Sequence, residues 1–107
     1  MIIKYKKNKF NVKLCRTFAS HARGLMFRFP KEDGLLFVFK KEKPVSLHTF
    51  FVFFPIDVVY INKNKKVIKI IKKVLPFTLY LRPIKCKYIL ELKDSKNIKE
   101  KTVLDSL

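Results

Sequence analysis

The chain has 107 residues, 49% of them hydrophobic, with 11 Phe and 4 Tyr; this is enough apolar mass for one domain with an aromatic core, and it excludes a disordered chain. Its 25 Lys and Arg against 8 Asp and Glu give a formal charge of +17, which suggests either an anionic partner such as nucleic acid or a membrane surface, or a solvated, compositionally biased surface. The basic residues are mostly Lys and are spread along the chain, which favours the second alternative, because phosphate and base-edge readers lean on the planar fork of Arg.

Residues 2–6 and 10–15 predict a hairpin, since Phe10, Val12 and Leu14 alternate with Asn11, Lys13 and Cys15. Its expected link is Lys7-Asn8-Lys9, with Asn8 best able to take a left-handed conformation. Residues 17–25 predict one short helix: Thr17 can cap it, Phe18, Ala22 and Leu25 share a face, and Gly24 stands near its end. His21 falls on its solvent side. Residues 26–33 read as a loop. GLLFVF at 34–39 is apolar on both faces and predicts a central strand, residues 40–44 a charged turn, and residues 46–54 a second apolar strand. At Pro55 the sheet must break, bulge or have an edge. Residues 57–62 and 66–72 predict a hairpin about Asn62-Lys63-Asn64-Lys65, where Asn tolerates positive φ. Residues 73–86, with Pro76 and Pro83, predict the longest irregular connection. In 87–92, Tyr88, Leu90 and Leu92 are expected inward and Lys87, Ile89 and Glu91 outward. A charged loop over 94–101 and a short strand over 102–106 complete the chain. With no repeat or internal boundary, residues 1–107 predict a single, mainly β domain: a compact β barrel or sandwich with one short helix near residues 17–25.

Several chemistries leave no trace. Cys15 and Cys86 are far apart, with no CxxC and no Cys/His pair at zinc spacing, so both are expected as reduced thiols and no metal or cofactor is expected. Gly24 and Gly34 are the only glycines, so there is no phosphate loop, and HExxH and GxSxG are absent. Ser20 and Ser46 have no Ser-His-Asp order around them. The start, MIIKYKKNKF, has no uninterrupted apolar core of a signal peptide. The apolar stretch 47–61 is broken by His48, Thr49, Pro55 and Asp57 and is too short for a spanning helix. The expectation is a cytoplasmic protein with no membrane insertion.

Two polar residues stand on apolar faces. His48 shares a strand face with Phe50, Val52 and Phe54, and Asp57 shares one with Val59 and Ile61. A buried carboxylate needs a partner, and Arg28 is the candidate. A buried Asp–Arg pair is more often structural than catalytic, and a histidine on such a face is more often a satisfied core residue. Phe50, Phe51, Phe53 and Phe54 could stack on bases, although so apolar a run is more often core.

GLMFR at 24–28, GLLFVF at 34–39, FFPIDVVYIN at 53–62 and YILEL at 88–92 come in the order and spacing of the domain-of-unknown-function 192 family, which the chain resembles over roughly residues 10–105; His48 followed by FFVFFPID looks like the archaeal-type variant. The resemblance implies a compact, mainly β fold with a short helix before GLM, and no known activity. The recurring positions it matches are Gly24, Leu25, Met26, Arg28, Gly34, Phe37, Phe39, Pro55, Asp57 and Glu91. The chain departs from the family late: the glycine usual after LEL is missing, and Leu104-Asp105 stands where Gly-Asp is usual.

Three functions follow as expectations. The first is a small non-catalytic binding or structural domain, with a pocket for a small ligand or anionic partner lined by Arg28, His48, Asp57 and rings such as Phe51, beside the loop that carries Arg82. The second is nucleic-acid binding through a lysine-rich surface, which needs lysines gathered on one face. The third is a hydrolase-type enzyme using Asp57 and His48, which needs the two within hydrogen-bond reach.

Overall fold

Six strands form: β1 (Ile2–Tyr5), β2 (Asn8–Cys15), β3 (Gly34–Leu47), β4 (Ile56–Ile61), β5 (Val67–Val74) and β6 (Leu81–Leu92), with β4 and β5 the richest in β-branched residues. The structure, a computed structural model, describes residues 1–15, 33–47, 55–75 and 81–107. The strands form one open sheet in the order β1-β2-β3-β6-β4-β5. Its pairs are antiparallel except β2 with β3, which run parallel from Val12 opposite Gly34 to Cys15 opposite Phe37. The expected mainly β class holds. The helix expected over 17–25 and most of the strand expected over 46–54 lie outside the described residues, which contain no helix.

Both faces of the sheet are buried. Leu35, Phe37, Ile56, Val58, Tyr60, Val74, Cys86 and Ile89 form a core on one face. Ile3, Phe10, Val12, Leu36, Val59, Ile61, Val67, Leu90 and Leu92 form the other, joined by Ile98 and Leu104 from the C-terminal segment. This explains why β4 is buried at every position and reads as a continuous apolar run. It also corrects the expectation that Ile89 and Glu91 face outward: both are buried.

The C-terminal segment joins the two edges of the sheet. Val67 N–H donates to Thr102 O (2.7 Å), Lys101 N–H to Val67 O (2.7 Å) and Leu104 N–H to Lys65 O (2.8 Å). At the other edge, Lys4 N–H donates to Ser106 Oγ (3.0 Å). The short strand expected over 102–106 is instead a single bridge, Val103 with Lys66.

Three further boundaries differ from expectation. The first hairpin turns at Lys6-Lys7, since Tyr5 pairs with Asn8, and Lys6 rather than Asn8 takes the left-handed conformation (φ 54°). The charged stretch 40–44 is no turn; β3 runs through it, with an irregularity between Val38 and Lys43. The connection expected over 73–86 is shorter, because β6 begins at Leu81 and holds Pro83. Pro83 fits because the β3–β6 register shifts there: Val45 opposes Ile84, but Leu47 opposes Leu81. The β4–β5 hairpin forms as expected, with Asn62 Oδ1 accepting the N–H of Asn64 (2.9 Å) and Lys66 (3.0 Å). Lys65, not an asparagine, has positive φ (65°).

Gly34 opens β3 opposite Leu92, where a Cβ would overlap the Glu91 carbonyl oxygen, a backbone atom that cannot move aside cheaply. Gly34→Ala should therefore lower stability by about 2–3 kcal/mol, seen as a reduced urea midpoint at unchanged slope.

Candidate functional site

Asp57 lies in β4, 1% exposed. Its Oδ1 accepts the Lys73 N–H (2.9 Å) and its Oδ2 the Ser95 N–H (2.8 Å). Both donors are irregular backbone. Lys73 sits at a bulge, where β5 takes three steps from Ile71 to Val74 against two on β4 from Ile56 to Val58, and it is left-handed (φ 56°). Ser95 follows β6. One carboxylate thus ties β4, β5 and the start of the C-terminal segment. Burial pushes its pKa up, but the amides of Ser95 and Lys73 outweigh burial and hold it below the ordinary 3.8. The carboxylate remains ionised, with each oxygen held by a backbone amide. Arg28, its expected partner, lies outside the described residues.

The opposite face holds Glu91 between Leu35 of β3 and Val58 of β4, with Tyr60 one diagonal step away. Glu91 Oε1 and the Tyr60 hydroxyl are buried without a hydrogen-bond partner among the described residues. Burial alone pushes Glu91 up to about 8. Burial, then Cys86 and Glu91, push Tyr60 up to about 12. Burial, then Glu42, push the Cys86 thiol up to about 12. At neutral pH all three are held neutral. Glu91 entered the expected set through its motif; Tyr60 and Cys86 did not, since their burial follows from a covered second face.

The remaining expected residues scatter. Arg28, His48, Phe51, Gly24, Leu25 and Met26 lie outside the described residues. Arg82 is exposed at the start of β6, while Asp57 pairs with Leu92 at its end, so these two do not meet. Gly34 and Phe37 are buried, Phe39 packs against the first core, and Pro55 is exposed just before β4. An open cleft of about 270 Å³ is lined by Val38, Phe39, Lys40 and Lys87. Lys87 Nζ donates to Phe39 O (2.6 Å) and Lys40 O (3.2 Å), so its amine braces the irregular part of β3. Among the described residues no group of His, Cys, Asp and Glu could hold a metal, and no helix is long and apolar enough to cross a membrane.

The family model of DUF192, described as uncharacterized ACR, matches residues 1–102. The chain belongs to the DUF192 family. It is 30% identical over 96 residues to a UPF0127 protein of Pyrococcus horikoshii, covering 85% of this chain and 82% of that one. It is 33% identical over 92 residues to a UPF0127 protein of Pyrococcus furiosus, covering 84% and 78%. Two solved structures share the fold. A protein of unknown function from Novosphingobium aromaticivorans aligns with TM-score 0.77 at 22% identity, covering 94% of this chain and 79% of that one. A candidate transcription regulator from Sinorhizobium meliloti aligns with TM-score 0.76 at 20% identity, covering 94% and 85%.

In this DUF192 chain Asp57 and Glu91 give stability opposite pH dependences. The lowered pKa of Asp57 means its contribution is present above the ordinary 3.8 and is lost as pH falls through the lower folded value. Asp57→Ala leaves two amide donors unpaired and should cost about 2–4 kcal/mol near neutral pH, a difference from wild type that shrinks in acid unfolding. The raised pKa of Glu91 means its stabilising protonated form is fully favourable below 4.5 and is lost as pH rises to about 8. Wild type should lose on the order of 5 kcal/mol across that window. Glu91→Gln, neutral at every pH, should remove most of this slope in urea titrations at about pH 5 and about pH 8.5.

Proposed function

We propose that this chain is a non-catalytic binding domain for an anionic partner. Its support is the use the fold makes of its few carboxylates. Asp33 Oδ2 accepts the Asn11 N–H (2.7 Å), Glu42 Oε2 the Lys63 N–H (2.8 Å), Asp94 Oδ1 the Lys96 N–H (2.8 Å) and Glu100 Oε2 the Ile70 N–H (3.4 Å). Asp57 is held by two amides in the same way, and Glu91 is buried. Acidic side chains therefore fasten turns and edges, and even Glu42, which also faces Lys85 at 3.9 Å, is anchored on backbone. The lysines are mostly exposed and far outnumber the acids, so they dominate the surface potential.

A partner held this way is bound by counterion release, so affinity must fall steeply with salt. Binding of a polyanion such as heparin or mixed-sequence nucleic acid should weaken by about 10²-fold or more between about 50 and about 200 mM salt. Failure of the wild-type protein to bind any polyanion at about 50 mM salt would remove this function.

A further inference from the structure

We propose that the partner is nucleic acid, gripped by its phosphate backbone, and that the docking surface is the seam where the C-terminal segment joins the two edges of the sheet. The inference rests on the anionic-partner function above and gives it a place and a ligand.

The seam gathers lysines from three separate parts of the chain. The C-terminal segment contributes Lys99 and Lys101, both exposed. Its bonds to Val67 and Lys65 place it against the β4–β5 turn, which carries Lys65 and the exposed Lys66, itself bridged to Val103. Its bond from Lys4 N–H to Ser106 Oγ places it against β1, followed by the exposed Lys6. Tyr5 marks the meeting point. Lys6 Nζ stands 5.4 Å from its ring centroid. Its pKa is lowered, first by a hydrogen bond with Thr102, then, against a larger opposing effect of burial, by Lys6 and Lys99. The acids of the same segment are all exposed: Asp94, which accepts the Lys96 N–H, Glu100, which accepts the Ile70 N–H at 3.4 Å, and Asp105.

Backbone conformation supplies an independent observation. The described non-glycine residues with positive φ are Lys6, Lys65, Lys73, Lys96 and Lys101, all lysine. Each left-handed position costs an unbranched L-residue on the order of 1 kcal/mol, and asparagine is better suited to it. Asparagine is close at hand: Asn64 precedes Lys65, Asn97 follows Lys96, and Asn8 lies two residues from Lys6. The turns nevertheless place lysine there, and Lys6, Lys65 and Lys101 are three of the seam's lysines. These left-handed turns fix the backbone that carries the seam's lysines.

The chemistry of the seam selects the ligand. Ammonium groups are point charges that hold phosphates but do not read base edges bidentately. Turns and a bridging segment also lack the amphipathic helix that an interfacial membrane anchor uses. The fit is to a phosphate chain, largely without regard to base sequence.

The test compares two triple variants of equal charge loss, using fluorescence anisotropy with labelled mixed-sequence oligonucleotides and anionic phosphatidylserine vesicles. One is Lys6→Gln with Lys99→Gln and Lys101→Gln at the seam. The other is Lys40→Gln with Lys41→Gln and Lys43→Gln on β3. The seam variant should lose about 10-fold or more in oligonucleotide affinity and flatten the salt dependence by about two units of slope; the β3 variant should stay within about threefold of wild type. A Lys→Arg version of the seam triple should retain binding and exclude loss through misfolding. Equal losses in both triples would overturn the seam while leaving the anionic partner intact. Binding to vesicles without binding to oligonucleotides would overturn nucleic acid as the ligand. Absence of all polyanion binding by wild type would remove the underlying function as well.

Discussion

Between Tyr88 and Leu92, β6 is paired on both sides, with β3 along one edge and β4 along the other. This five-residue stretch is where the two halves of the sheet meet, and its surroundings follow from it. Its side chains point alternately to two faces, and because both faces carry a core, Leu90 and Leu92 enter one while Ile89 enters the other. Its backbone at Glu91 leaves no room for a Cβ on the facing residue, which is Gly34. Beyond Tyr88 the β4 pairing ends, and among the described residues the first half of β6 continues with β3 alone. There the strand carries Pro83 at a register shift against β3.

A sheet in which β1 and β5 remain as edges exposes unpaired backbone groups, and this chain covers part of both with its last residues. The same segment brings Ile98 and Leu104 onto the second core. Closure therefore has an apolar part and a hydrogen-bonded part, and the hydrogen-bonded part draws lysine-bearing turns together. The positive seam is in this sense a by-product of closing the sheet. Its lysines in left-handed conformations go further than closure requires, because asparagine lies beside several of them.

How much of this could be read beforehand depended on which physical rule applied. GLLFVF at 34–39 showed its two-sided burial directly, and the β4–β5 hairpin followed from apolar runs flanking Asn62 and Asn64. The demand of Asp57 for a partner was also legible; its identity was not, because backbone amides leave no mark on side-chain composition. Alternation over 87–92 separates two faces but carries no sign that the second is covered, so Ile89 and Glu91 read as facing solvent although both are buried. The charged stretch 40–44 resembled a turn because strand propensity weighs side chains. Pairing with β6 overrides propensity there, with Lys43 opposite Cys86 and Pro44 opposite Lys85. Left-handed lysines were invisible for a similar reason: Asn8 and Asn64 were better choices on propensity, and sequence gives no sign that a neighbour will take the strain.

Asp57 and Glu91 show how far surroundings, rather than residue type, set the charge of this fold. They lie on adjacent strands within one position of register, with Asp57 opposite Leu92 and Val58 opposite Glu91, but alternation sends them to opposite faces. Both are 1% exposed. Asp57 meets two amide donors and stays ionised, whereas Glu91 Oε1 has no hydrogen-bond partner among the described residues and keeps its proton. With its pKa pushed up to about 8 by burial, Glu91 contributes little negative charge at neutral pH. The remaining described acids, Asp105 apart, accept backbone N–H groups, and Glu42 also faces Lys85. A surface left this positive repels itself and weakens the compact state.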